Sequence, residues 1–206
     1  NTSSDDGGGM QISNSNPTIT NVTISGNTAV SFGGGMNMLY SSPTLTNSIL
    51  WDNSPQEISF HETGNPNSIT ITYSDIQGGQ DSIATNDNGT VTWADGNIDV
   101  DPKFIDAEND DYHLRASSQC INGGDPTTFD SDGSRADMGA NPYLNTYSGP
   151  TWYVETEGND TIATGSIDSP FASIQSAINF ATTDGDSVVV AAGTYVENIN
   201  FRGRNI

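Results

Sequence analysis

Gly7-Gly-Gly-Met-Gln-Ile12 returns as Gly33-Gly-Gly-Met-Asn-Met38, and Pro17-Thr-Ile-Thr-Asn21 returns as Pro43-Thr-Leu-Thr-Asn47. Gly26-Asn27 becomes Asp52-Asn53 in the same frame, so the displacement is 26 residues throughout. A third, faded copy keeps the spacing, with Ile71 following Ile19 and Leu45, and Ile76 following Ile24 and Leu50. A period of this length is the signature of a solenoid, in which each copy buries its apolar face only against its neighbours. Within a copy, Met10-Gln-Ile12 and Met36-Asn-Met38 alternate in the two-residue period of a strand. Ile19 points inward and Thr20 outward; Asn21 suits a corner, because Asn tolerates left-handed backbone. Stacked Asn side chains at Asn21 and Asn47 are expected to form a hydrogen-bonded ladder. No helical period lies inside the repeat, which excludes leucine-rich and helical solenoids.

Composition agrees. The apolar fraction is 33%, thin for a compact globule of 206 residues but tolerable where turns and polar ladders replace part of the core. Five Lys and Arg against 26 Asp and Glu give a formal charge of −21. Nucleic acid is thereby excluded as a partner, since phosphate binding needs basic side chains. Cys120 is the sole cysteine, so no internal disulfide forms. No stretch has the apolar length of a membrane span, and no signal peptide opens the chain. Asn21-Val-Thr and Asn88-Gly-Thr match glycosylation sequons, a frequent coincidence in so Asn- and Thr-rich a chain.

From about Gln77 the repeat dissolves into Gly, Asp and Asn. The run Gly96-Asn-Ile-Asp-Val-Asp-Pro-Lys-Phe-Ile-Asp106 is followed by Asp111-Tyr-His-Leu114, Ser118-Gln-Cys-Ile-Asn-Gly-Gly-Asp125 and Asp130-Ser-Asp-Gly-Ser-Arg-Ala-Asp-Met-Gly-Ala140. These residues resemble the closing segment of secreted bacterial β-helix surface proteins, where it sometimes precedes a surface-anchoring element. Residues 141–151, punctuated by Pro142, Gly149 and Pro150, look like a linker. Trp152-Tyr-Val154, Ser169-Pro-Phe-Ala-Ser-Ile-Gln-Ser-Ala-Ile178, Asp184-Gly-Asp-Ser-Val-Val-Val190 and Gly193-Thr-Tyr-Val-Glu-Asn-Ile199 are similar to the N-terminal cap of pectate-lyase-like β-helices. Ile174, Ala177, Ile178 and Ala181 fall on one helical face, with Ser173 as the N-cap. The resemblance implies an all-β, right-handed parallel β-helix with one short capping α-helix. It places coils and closing segment in 1–140, a linker in 141–151, and the cap and first coil of a following or neighbouring β-helix in 152–206.

The residues give little support to catalysis. A pectate-lyase-like mechanism would want an Arg or Lys base beside carboxylates, but Lys103, Arg115, Arg135, Arg202 and Arg204 all lie outside the regular coils. Asp5-Asp6 and Asp110-Asp111 lack the His and basic partners of a polygalacturonase-like site. His61 and His113 have no second His or Cys near them in sequence, which argues against zinc. Calcium is the better expectation: Asp130, Asp132 and Asp137 gather oxygen ligands around a Gly turn, with Asp99 and Asp101 as a weaker pair. The expected function is a non-catalytic structural or adhesive module, extracellular or on a bacterial cell surface, joined end to end with itself or with tandem modules. The alternative is a carbohydrate-active β-helix that binds or cleaves polysaccharide.

Overall fold

The computed structural model of the chain describes all 206 residues and forms two compact units. The first comprises 1–101, 123–126 and 138–140; the second comprises 102–122, 127–137 and 141–206.

The first unit is a parallel β-helix of four coils. Coil one holds β1 (Thr2–Ser3), β2 (Met10–Ser13), β3 (Thr18–Thr20) and β4 (Thr23–Ser25). Coil two holds β5 (Thr28–Ala29), β6 (Met36–Leu39), β7 (Thr44–Thr46) and β8 (Ile49–Trp51). Coil three holds β9 (Ile58–Phe60), β10 (Asn67–Thr72) and β11 (Asp75–Ile76), and coil four holds β12 (Gly89–Trp93). Equivalent strands stack in parallel as three principal sheets, β2-β6-β9, β3-β7-β10-β12 and β4-β8-β11. The 26-residue frame is the pairing register: Met10 faces Met36, Ile19 faces Leu45, Leu45 faces Ile71, and Ile24 faces Leu50. Inward positions form one apolar column, with Met36, Met38, Leu45, Leu50, Ile58, Phe60, Ile71 and Ile76 fully buried.

The sequence repeat fades after coil two because the corners change length, not because the helix stops. Met36 pairs with Ile58, 22 residues on, while Leu45 still pairs with Ile71, 26 residues on. Four residues lost before β9 are restored in the loop between β9 and β10. The fourth coil lies where the sequence loses its period: Ala84 bridges Ser59, β12 pairs with β10, and Ile98 bridges Asp75. Gly96-Asn-Ile98, read from sequence as the start of closing coils, therefore finishes this coil.

The corners carry the main correction. Left-handed backbone recurs in the same frame at Gly7 and Gly33, at Asn14 and Tyr40, at Asn21, Asn47 and Tyr73, and at Gly26, Asp52 and Gly78. Asn21 and Asn47 thus occupy the corners expected of them, with φ of 53° and 49°, but they do not form the ladder. The polar columns run through the residue after the left-handed one. Val22 N–H donates to Ser48 Oγ, Ser48 N–H to Ser74 Oγ, and Ser74 N–H to Asn97 Oδ1. Ser15 N–H donates to Ser41 Oγ, and Ser41 N–H to Asn67 Oδ1. Asn27 donates both its backbone N–H and its Nδ2 to Asn53 Oδ1, and Asn53 donates likewise to the two oxygens of Glu57. A left-handed residue swings the next amide out of the strand ladder, and a side chain one coil further on accepts it. Tyr40 and Tyr73 lay their rings against Gly64 and Gly96, where a Cβ would overlap the ring atoms at 1.9 and 2.1 Å.

Asn47 has a different task. Its side-chain oxygen accepts Asp125 N–H at 2.7 Å and its carbonyl accepts Gly139 N–H at 2.8 Å, while Ala140 N–H reaches Thr23 Oγ1. These contacts hold 123–126 and 138–140 on the outside of β4 and β8, over the fully buried Ile49.

The second unit contains an antiparallel pair, β13 (Phe104–Asp106) with β14 (Asp111–Leu114), and a parallel pair, β15 (Thr151–Val154) with β16 (Ser187–Val190). The antiparallel pair shows that 104–114 is not a coil. Between β15 and β16 lies the one α-helix, α1 (Ile174–Phe180), capped as the sequence predicts by Ser173 Oγ, which accepts Ser176 N–H. Ala177, Ile178 and Ala181 are buried under it. Trp152, Phe171 and Phe180 stack beside it, with ring centroids 5.1 to 6.4 Å apart. Asn179, fully buried, donates to the carbonyls of Ala116 and Ser118, so α1 is pinned to the 114–122 turn by its own side chain.

Leu45→Ala should lower the unfolding free energy by about 2–5 kcal/mol, because it empties the middle of a closed column. Ser48→Ala should cost about 1–3 kcal/mol by orphaning the Val22 amide. Denaturant titration of each variant measures both losses.

Candidate functional site

Asp130, Asp132 and Asp137 lie together in the second unit, but their oxygens face backbone amides. Asp130 Oδ2 accepts Asp137 N–H. Asp132 accepts the N–H and hydroxyl of Ser134 on Oδ1 and Asn145 N–H on Oδ2. Asp137 accepts Asn122 N–H on one oxygen and Tyr143 N–H on the other, both at 2.7 Å. Calcium wants six to eight converging oxygens. No group of three or more His, Cys, Asp or Glu side chains is placed to hold a metal ion. Through these bonds the three aspartates tie three turns together. Of the weaker pair, Asp99 Oδ1 accepts Gly78 N–H as part of a corner in the first unit.

Burial dominates the electrostatics at this junction. Asp137 is 2% exposed, and desolvation, reinforced by the charges of Asp130 and Asp132, pushes its pKa up to about 7 against the pull of its two amide donors. Burial also raises Asp130. Across the same unit Arg202 donates to the carbonyls of Ile121 and Asn122, and Arg204 to that of Ile178. Desolvation, then neighbouring guanidinium charge, lowers Arg202 to about 10 and Arg204 to about 9. Arg115 donates to the Ile105 carbonyl. These guanidiniums clamp backbone, and none is paired with a carboxylate in the manner of a lyase base. His113 contacts Asp111 at 2.7 Å on the surface, and His61 turns back on Thr63.

In the first unit one carboxylate is buried in a concave place. Glu57, 4% exposed, ends the Asn27–Asn53 column and borders a cavity of about 270 Å³ with Gln56, Gln77 and Ser82. Burial raises its pKa. Both oxygens are used on Asn53, which makes it the stop of a ladder. A concavity of about 430 Å³ belongs to the second unit and is lined by Ile105, Leu114, Tyr143, Leu144, Ile162 and Ala163. It holds no titratable group but His113 and Tyr143, whose hydroxyl is committed to the Ala163 carbonyl.

The other unusual surface is the outer edge of β16. It pairs only with β15, and its Val189 and Val190 are 46% and 40% exposed. Val196, Ile199 and Phe201, all exposed, follow it. Val188-Val-Val190 belongs to the run that resembles a β-helix cap and first coil; the exposure of its valines could not be read from the pattern, since a buried parallel strand has the same appearance.

No protein-family model, curated protein or solved structure matches the chain, so its function is argued from its own residues.

The raised Asp137 pKa has a pH signature. An acid with a folded pKa of about 7 and an unfolded one near 4 holds its proton longer when folded, so stability is greatest below pH 4 and falls as pH rises to 7. The expected slope for this group approaches ~1.4 kcal/mol per pH unit. Unfolding titrations from pH 4 to 8 should show a component of this sign that disappears in Asp137→Asn.

Proposed function

We propose that the chain is a non-catalytic structural or adhesive module of an extracellular bacterial β-helix protein, built to be joined end to end with further β-helix coils. The observation that carries this is the free edge of β16, a parallel strand that shows exposed valines where a next coil would stack. Such an edge, rich in β-branched residues and lacking Lys, Pro or a bulge, has none of the features that keep edge strands single. The closing-type and cap-type segments support the same reading. The 102–122 and 127–137 parts of the segment resembling a solenoid terminus share the second unit with the segment resembling a solenoid start, and there Asn179 of α1 binds the 114–122 turn. That unit thus has the parts of a connector. Arg115, Arg202 and Arg204 donate to backbone carbonyls, which favours a structural role over polysaccharide cleavage.

Sedimentation velocity across a concentration series, with negative-stain electron microscopy at the top of it, tests the proposal. End-to-end species should grow with concentration in the wild type. In Val190→Lys they should fall at least tenfold in abundance with the melting temperature unchanged, because the lysine stands on the surface a further coil would cover. Single monomers at every concentration would overturn the proposal, as would association indifferent to the lysine.

A further inference from the structure

A cavity of about 210 Å³ at the C-terminal end of α1 lies wholly within the second unit and has no part in the function proposed above. Its lining is unusual in what it leaves unpaired. Asp186 lines it and is 7% exposed. Only one of its oxygens is occupied: Oδ2 accepts Thr183 N–H at 3.1 Å and, at 3.4 Å, the indole N–H of Trp152, while Oδ1 accepts no hydrogen bond. Asn122 lines the same cavity and is 2% exposed. Its Nδ2 donates to the Asn179 carbonyl, and its Oδ1 is buried without a partner. The exposed Asp132 brings a second carboxylate to the cavity, held in place by Ser134 and the Asn145 amide.

Donors are missing where these acceptors gather. The lining side chains that carry N–H groups are all committed: Asn122 to Asn179, Asn145 to the Thr164 carbonyl, and Trp152 to Asp186. All five basic side chains, Lys103, Arg115, Arg135, Arg202 and Arg204, belong to the second unit, yet none of them lines the cavity. Neither Asp132 nor Asp186 is ion-paired. Arg204, whose charge reaches Asp186, donates to the Ile178 carbonyl instead. Tyr147, Trp152 and Phe180 form the apolar side of the cavity. Two carboxylates and an orphaned amide oxygen around one void call for a positively charged donor.

We infer that this cavity is a binding site for a small organic cation of the primary alkylammonium class. Its N–H groups go to Asp186 Oδ1, with Asp132 and Asn122 Oδ1 as further acceptors, and its methylenes lie along Tyr147, Trp152 and Phe180. An ammonium has three donors and no acceptor, the complement of a lining that offers oxygens and no uncommitted side-chain N–H. Aromatic rings accept a cation beside them. A neutral sugar brings acceptors of its own, for which no side-chain N–H is left. A calcium-class ion wants six to eight oxygens and gains nothing from an aromatic wall. Joining end to end is not needed for this site.

The test is titration of the whole chain with n-butylammonium chloride at constant ionic strength. It is followed through the Trp152 indole N–H signal in heteronuclear NMR spectra, assigned with Trp152→Phe. The wild type should show a saturable shift, and n-butanol, with the same methylenes and no charge, should bind at least tenfold more weakly. Asp186→Asn, which keeps an oxygen for Thr183 and Trp152, should weaken butylammonium binding at least tenfold. Asp168→Asn removes one exposed charge away from the cavity and should bind as the wild type does. The butanol comparison needs no substitution, so it decides the matter even if Asp186→Asn fails to fold. No saturable shift, equal binding of butanol, or equal weakening in Asp168→Asn and Asp186→Asn would each overturn the inference. Displacement of butylammonium by equimolar calcium chloride would overturn it in favour of a metal site.

Discussion

The structure depends on what happens to one amide per corner. A β-helix turns by placing a residue in left-handed backbone, and at Asn14, Asn21, Gly26, Tyr40, Asn47, Asp52 and Tyr73 the following N–H leaves the strand-to-strand ladder. Buried amides without acceptors would cost about 1–3 kcal/mol each, enough in sum to cancel a domain's stability. In six of these corners a Ser or Asn oxygen on the next coil accepts the amide, and the Asn53 amide goes to the Glu57 carboxylate four residues on. A low apolar content is therefore compatible with a rigid solenoid. Its interior is an apolar column framed by polar columns, and the Ser and Asn that dilute the composition are structural acceptors.

The coils were legible because side-chain direction and frame agree. Met36, Leu45 and Leu50 recur at the stacking distance of the fold, so the pairing register could be written from the repeat alone. The corner residues were also legible as left-handed. What misled was the assumption that an Asn at a corner must stack on its equivalent. The left-handed residue points its side chain outward, leaving Asn21 exposed, while its successor points at the neighbouring coil. The fourth coil escaped notice because its own strands leave the frame: Ile69 pairs with Val91, 22 residues on, and Asp75 bridges Ile98, 23 residues on.

The candidate sites were less legible, for a physical reason. An aspartate beside a glycine turn serves equally to bind calcium or to gather backbone amides, and the amides that Asp132 and Asp137 gather, those of Asn122, Tyr143 and Asn145, come from other parts of the chain. Asn122, Asp132 and Asp186 come to one cavity from separate parts of the chain, so no periodic reading would group them. The helix was the opposite case. Ser173, Ala177, Ile178 and Ala181 define it locally, and the structure adds only what it is pinned to, through Asn179. Charge shows the same contrast: the total was evident, but its division, with every Lys and Arg in one unit, needed the boundaries of the units.

The corner columns run one way. From coil to coil an earlier coil gives an N–H and a later coil supplies the oxygen, so a complete coil is a donor to the next and an acceptor for the last. A gene duplication that copies one 26-residue segment in frame would insert a coil that meets both obligations at once. Neither neighbour would notice the insertion, and no compensating substitution would be required. Lengthening by repetition is thus the change this architecture resists least.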